Sequence, residues 1–415
     1  MSFQQGLSGL SAASQSLEAI GHNVANANTA GFKQSQVQFS DIYAGTLTGS
    51  GGNQIGIGTQ VARVAQLFSQ GNISKSENPL DMAISGNGFF RMSNNGAITY
   101  SRNGQFTLSK EGYIENAAGA RLTGYPADAN GVVAVGAPAE LVINKADLAP
   151  TASSTYDLKL TLDSRKGTLV AADFNPTDAT TFSDSTSAPV FDSLGNVHTL
   201  RTFYVKTAAN EWAVFATNDG VQASSATTPA PTPADGRIGT LTFNNAGVLT
   251  TTPTTMTVEM NVTTGGATPY TITIDNVGTQ QFAQDFGVSK QLPNGYAAGT
   301  LVDFSVSTNG EIVGRYSNGQ TNLLGQVILA NFANPNGLQN RGDNQWVETA
   351  ESGVPMVSTP GSSGLGAVQS SRVEDSNVDL TAELVNMITA QRYYQANAQT
   401  IKTQDQILQT LVNLR

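Results

Sequence analysis

"VDLTAELVNMITAQRYYQANAQTIKTQDQILQTLVNLR", residues 378–415, runs to its end without a glycine or a proline. Leu380, Met387, Tyr394, Ile401 and Leu408 fall at every seventh position, with Leu384, Ala398 and Val412 on the adjacent row. This spacing predicts one long helix carrying a narrow apolar seam. Ser376, Asn377 and Asp379 supply oxygens to cap its start. Such a stripe must be covered by something.

The opposite end of the chain has the same pattern. Phe3, Leu10, Leu17 and Val24 are spaced by sevens, with Leu7 and Ile20 beside them. This helix is expected to stop near "NVANANTAGFK" (residues 23–33), where Asn, Thr and Gly31 favour an irregular exit. Periodicity alone leaves two arrangements open: each helix lies on its own globular domain, or the two cover each other as a coiled coil.

The remaining faces favour the second arrangement. Residues 1–32 contain a single charge, Glu18, and the last helix carries little more than Glu383, Arg392, Lys402 and Asp405 before Arg415. A solvated coiled coil normally has Glu and Lys outside its seam. Small uncharged residues suit close approach on several sides, as in a bundle made by many copies of one chain.

Between the ends the pattern changes twice. Residues 28–70, around "GTLTGSGGNQIGIGT", are rich in Gly, Ser and Gln and read as a linker or extended arm. From Gly71 short alternating runs follow, with Asn95-Gly96 and Asn103-Gly104 bracketing "AITYSR" as in a hairpin meander. The same style returns in residues 301–332, with turns at Asn309-Gly310 and Asn318-Gly319. The stretch between is richer in Thr, Ser and Ala, and its loop "SSATTPAPTPADG" reads as exposed.

The expected fold class is mainly β with long α-helical termini, the two helices paired as a coiled coil and two nested β domains radiating outward. The expected domains are a terminal helical domain (1–30 and 375–415), an arm (31–70), a discontinuous β domain (71–145 and 286–360), an inserted outer β domain (146–285) and a return linker (361–374).

Composition narrows the function. A net charge of −10 and a pI near 4.7 argue against nucleic acid or an anionic membrane surface as partner. Charged residues make up 13%, against the roughly 25% of ordinary soluble proteins. With no cysteine there is no disulfide framework and no thiolate metal site. No apolar run approaches the roughly 18 residues of a membrane span, and the first residues lack the basic and apolar regions of a secretory signal. Such a composition suits an extracellular fibre, which leaves a dedicated export route or a cytoplasmic protein of unusual composition.

Nothing in the sequence marks an active site, and neither cofactor nor metal is expected. His22 and His198 are the only histidines, and no HExxH, GxSxG elbow or P-loop is present. "RGD" at 341–343 reads as a charged turn, and "NIS" at Asn72 matters only in a glycosylating pathway. Lys290 and Arg372 need no reading beyond solubility.

Four stretches resemble the rod and hook family of bacterial flagellar axial proteins. They are "LSGLSAASQSLEAIGHNVANANTAGFK" (7–33), "DMAISGNGFFRM" (81–92), "YSRNGQFTL" (100–108) and the segment from Ser376 to Leu411. Asn23, Asn26, Gly31, Phe32, Gly86, Gly88, Phe89 and Phe90 carry the signature. Length and the large insert are similar to the hook members rather than the shorter rod members.

The resemblance implies that the terminal helices line the inside of a tube and that the chain's main partner is itself. It also implies contacts with the distal rod, the hook cap, the hook–filament junction proteins and the flagellar type III export apparatus. Export would then need no cleaved signal, and the chain would be extracellular. Phe3, Leu7, Leu10, Leu17, Ile20 and Val24, with Leu380, Leu384, Met387, Tyr394, Ile401, Leu408 and Val412, would form the assembly seams. The alternatives are a distal rod or other axial component, a β-rich adhesin or surface-layer protein, and a carbohydrate-active enzyme. The last would need aromatic company that Trp212 and Trp346 lack.

Overall fold

The computed structural model describes residues 2–42, 56–226, 235–267 and 270–413. Parts of the "GTLTGSGGNQIGIGT" stretch and of the "SSATTPAPTPADG" loop lie outside the described residues. The fold is mainly β with a helix at each end: α1, Ser2–Ala25, and α2, Leu380–Asn413. The chain divides into two compact units. One comprises residues 1–145, 303–315 and 321–415; the other comprises 146–302 and 316–320.

The first unit contains the helices and a sheet whose neighbours come from both halves of the chain. Strand Arg121–Pro126 pairs with Thr321–Val327 on one side and Phe89–Asn94 on the other, and Ala97–Ser101 pairs with Gln345–Val347. Asn95 and Gly96 both adopt positive φ (49° and 90°), which joins Phe89–Asn94 to Ala97–Ser101 in a two-residue turn matched to strand twist. Phe89, Tyr100, Phe332 and Trp346 form an aromatic core, with Tyr100 edge-on to Phe332 at 4.7 Å.

Asn103-Gly104 is not a second hairpin turn. Ala97–Ser101 turns to Gln345–Val347 instead of to a following strand, and Gly104 lies against the backbone of Met82. Met82 N–H donates to Gly104 O at 2.9 Å, and a β-carbon at Gly104 would stand 1.7 Å from Met82 O. The glycine serves close approach, not reversal.

Two segments expected as linkers carry strands. In the arm, β1 (Ser35–Ile42) and β2 (Gly58–Gln66) form an antiparallel ribbon from Ser35↔Gln66 to Ile42↔Gly58, with a bulge at Gln38/Phe39. In the return segment, Ala367–Ser370 pairs with Met82–Ser85 and Arg372–Glu374 pairs with Ile73–Lys75. The strands of the return segment have partners remote in sequence and are only three or four residues long, too brief for alternation to be read.

The second unit is a two-sheet sandwich. One sheet holds Thr155–Asp163, Thr255–Met260 and Tyr270–Asp275; the other holds Asp184–Phe191, Val197–Ala208 and Glu211–Asn218. Tyr156, Leu158, Leu160 and Leu162 alternate inward from the first and meet Leu200, Tyr204, Trp212 and Val214 of the second. The second sheet is covered on its other face too, where Phe174 stacks on Phe215 at 4.1 Å.

Candidate assembly surface

Of the two histidines His198 is the buried one, and its neighbours are the carboxylates of two loops. Its Nδ1 lies 2.7 Å from Asp219 Oδ2 and its Nε2 3.5 Å from Asp192 Oδ2. Asp192 is occupied by its own loop: Leu194 N–H, Asn196 N–H, Asn196 Nδ2 and Thr264 Oγ1 all donate to it. Burial alone would raise its pKa, but these donors together hold it well below the carboxylate range. No group of three or more metal-ligating side chains occurs among the described residues. The RGD residues are exposed on the hairpin between Gln339–Gly342 and Gln345–Val347.

The helices are a different matter. They run antiparallel, with Gly6 facing Ile401 and Asn23 facing Glu383. A β-carbon on Gly6 would lie 3.0 Å from Ile401 Cγ1, and one on Gly9 would lie 2.8 Å from Asn397 Oδ1. Ala13 and Ile20 continue this row on α1, and Glu383 and Ala390 are the buried positions on α2. The contact between the helices is thus made mostly by Gly, Ala and Asn, with Ile20, Ile401 and Glu383, and not by the leucines and aromatics.

That displaces the expected seams by a row. Of the predicted residues, Ile20 is buried, while Leu10, Leu17, Val24, Met387 and Ile401 are half-buried. Phe3, Leu7, Leu380, Leu384, Tyr394 and Leu408 are exposed, Leu384 by 50% and Leu408 by 49%. The side chain of Val412 lies outside the described residues. Sevens identify rows along a helix but not the row that faces a given neighbour, and rows of small residues allow the closer approach.

The root of the pair is a polar clasp. Asn23 donates to Ser35 O at 2.8 Å and accepts from Ser35 N–H at 2.9 Å, like one rung of a sheet. Glu383 accepts from Gln34 Nε2 at 2.7 Å and from Asn23 Nδ2 at 3.3 Å. Asn377 Oδ1 takes Gln34 N–H, and its amide donates to Leu67 O. A cleft of about 290 Å³ opens here, lined by Ile20, Asn23, Ser35, Glu383, Ala390 and Tyr393 among others.

One layer further in, Lys33 Nζ reaches Glu374 Oε1 at 2.6 Å and Ser69 O at 2.7 Å. Arg102 Nε stands 3.7 Å from Glu374 Oε2. All three side chains are buried. Burial pushes the Lys33 pKa down, and the adjacent carboxylate only partly opposes it.

The signature residues gather around this clasp. Gly31, at φ +70°, donates its N–H to Glu374 O at 2.8 Å and leaves no room for a β-carbon against Asn103 N. Phe32 is buried beside His22, and Asn26 ties off the end of α1 by donating to His22 O. Gly86 O accepts from Arg102 Nη2, and Gly88 fits against Leu365. Phe89 and Phe90 enter the core, Phe90 edge-on to Phe106 at 5.3 Å. Lys33, Arg102 and Glu374 were missed in the sequence. Their signal was weak: three charges in a charge-poor chain, far apart in sequence.

Helices from both ends, rooted together in a β body and bare at Phe3, Leu7, Leu380, Leu384, Tyr394 and Leu408, define a subunit built to pack against others. Four family descriptions match the chain: Flagella basal body rod protein at residues 3–33, and Flagellar hook protein FlgE/F/G D1 domain at 83–153. Flagellar basal body protein FlaE D2 domain matches 161–296, and Flagellar basal body rod FlgEFG protein C-terminal matches 369–414. The flagellar hook protein FlgE of Salmonella typhimurium is 42% identical over 425 aligned residues, covering 100% of both chains. That of Escherichia coli K12 is 41% identical with the same coverage. The crystal structure of the Helicobacter pylori flagellar hook protein FlgE2 has the same fold at a TM-score of 0.51 and 13% identity, over 71% of this chain and 99% of that one. The chain belongs to the flagellar hook protein family.

Proposed function

We infer that this chain is a structural subunit of the bacterial flagellar hook, polymerising with copies of itself into a flexible tube that passes motor torque to the filament. One observation carries the reading: Phe3 and Leu7 of α1 and Leu380, Leu384, Ile388, Tyr393, Ile407 and Leu408 of α2 are left bare within the chain. Burying one such side chain contributes about 1.5–3 kcal/mol, so neighbouring copies gain by covering them. The exposed seam residues Phe3, Leu7, Leu380, Leu384, Tyr394 and Leu408 are therefore proposed as assembly contacts; Leu10, Leu17, Val24, Met387 and Val412 are proposed with them by their place in the sevens, and Ile20 and Ile401 serve the pair itself.

The coiled-coil character of the helix pair and the nested domain layout, with 146–285 inserted in 71–145 and 286–360, belong to the same proposal. So do export through the flagellar type III apparatus without a cleaved signal, an extracellular place in the hook, and contacts with the distal rod, hook cap and hook–filament junction. A bending tube needs contacts that repack cheaply. Exposed polar contacts, each worth about 0–1 kcal/mol, meet that need. Electron microscopy of the purified chain after polymerisation tests the reading. Curved tubes are expected; straight tubes would favour a rod component, and absence of any polymer would overturn it.

A further inference from the structure

Two glutamates are buried at the helix roots, and only one of them has a counter-charge. Glu374 lies against Lys33 and Arg102. Glu383 is 3% exposed, yet among the described residues no basic nitrogen stands within 4.0 Å of its carboxylate. Amides surround it instead. Gln34 Nε2 and Asn386 Nδ2 donate to Oε1 at 2.7 and 3.5 Å, and Asn23 Nδ2 donates to Oε2 at 3.3 Å. The first turn of α2 offsets about half a charge more. A buried carboxylate ordinarily has a full partner.

Glu383 is also the only charged residue lining the cleft between α1, β1 and α2. Asn23 and Gln34 spend amide donors on Glu383, and Asn23 spends its oxygen on Ser35 N–H. Asn386 turns its Nδ2 to Glu383, which leaves its Oδ1 to accept. The cleft therefore offers acceptors and one negative charge to whatever enters it. No group of three or more metal-ligating side chains occurs among the described residues, so a metal ion would find one carboxylate among amides. An organic cation with several N–H donors meets the need, and about 290 Å³ leaves room for one on a short alkyl stem.

We propose that this cleft binds a guanidinium or primary ammonium group, with the Glu383 carboxylate as its counter-ion. The group comes either from a small free molecule or from a Lys or Arg side chain of another copy. The site is complete within one chain, so it stands apart from the self-assembly reading.

Equilibrium dialysis of the full chain against butylguanidinium tests the site, with uncharged butylurea as the isosteric control. The unassembled chain should bind butylguanidinium saturably and butylurea not at all. Glu383→Gln should weaken binding by about 10- to 100-fold, the worth of a hydrogen bond to a charged group. Ala19→Phe, which narrows the cleft from α1 and leaves the carboxylate in place, should abolish it. Near-ultraviolet circular dichroism checks both variants, and where Glu383→Gln alters the fold, Ala19→Phe decides. Assembled chain separates the two sources: continued binding points to a free cation, and loss of binding to a side chain of another copy already in the cleft. Equal uptake of butylurea, no saturable uptake by the unassembled chain, or undiminished uptake by a folded variant would overturn the site.

Discussion

Lys33 and Glu374 form an ion pair of 2.6 Å in which both side chains are wholly buried, although 341 residues separate them. Lys33 follows α1, and Glu374 lies just before α2, so the pair locks the two helix roots to each other and to the β body. Gly31 and Gly71 hold the same glutamate from its backbone and its carboxylate. A buried pair of this kind is costly to break rather than cheap to make.

Glu374→Ala leaves Lys33 and Arg102 buried with no counter-charge. It should destabilise the first unit by about 3–5 kcal/mol, while replacing all three charges, Lys33→Met and Arg102→Met with Glu374→Leu, should recover much of that loss. Denaturant unfolding followed by Trp346 fluorescence in a Trp212→Phe background measures this unit, because Trp346 lies in its aromatic core. A stable single mutant would show that the clasp is relaxed or hydrated.

Gly9→Leu should separate the helices without harming the sheets. A β-carbon at Gly9 already meets Asn397 at 2.8 Å, and overpacking of this order costs about 1–3 kcal/mol. The expected result is loss of tubes in electron micrographs with unchanged near-ultraviolet circular dichroism. Normal tubes would place Gly9 away from the helix contact in the polymer.

Leu384→Asp tests a residue that is bare in the chain and proposed to be covered in the tube. Its monomer should unfold within about 0.5 kcal/mol of wild type, since exposed substitutions usually do little. Polymerisation should fail, because the carboxylate would be buried without a partner. A destabilised monomer would mean that Leu384 already packs within its own chain.

The second unit should lose stability in acid. Asp163 is held down at about 2 by hydrogen bonds from the Arg165 guanidinium and N–H, below its ordinary 3.8. Asp192 and Asp219 are held down as well. A carboxylate with a lowered folded-state pKa adds stability that is complete above its unfolded value and disappears as pH falls through the folded one. Unfolding read by Trp212 fluorescence in a Trp346→Phe background should therefore weaken from about pH 4 to about pH 2. Asp163→Asn should flatten part of that slope, and an unchanged slope would remove Asp163 from the account.

Trp346 donates its indole N–H to Gln66 Oε1 at 2.6 Å, joining the β1–β2 ribbon to the core. Gln66→Leu leaves that buried donor unpaired and should cost about 1–3 kcal/mol. Limited proteolysis should then cut the ribbon earlier than the rest of the first unit. Equal cutting rates would show that Phe68, edge-on to Trp346, suffices to hold it.

The helices, the β character between them and the family were legible in residue order, because period, turn chemistry and short motifs are local. Apolar sevens make a helix wherever it ends up, in α1 despite Gly6, Gly9 and Gly21, and Asn95-Gly96 makes its turn from two residues alone. What those elements touch emerges only once the chain is folded. Leu7 and Gly6 are neighbours in sequence, yet the glycine meets Ile401 and the leucine stays bare, because closeness of approach, not hydrophobicity, selects the facing row. Gly104 was legible as a turn residue and serves as a backbone gap. Lys33, Arg102 and Glu374 could not be found at all from spacing, since a buried ion network is defined by distances that chain order does not carry.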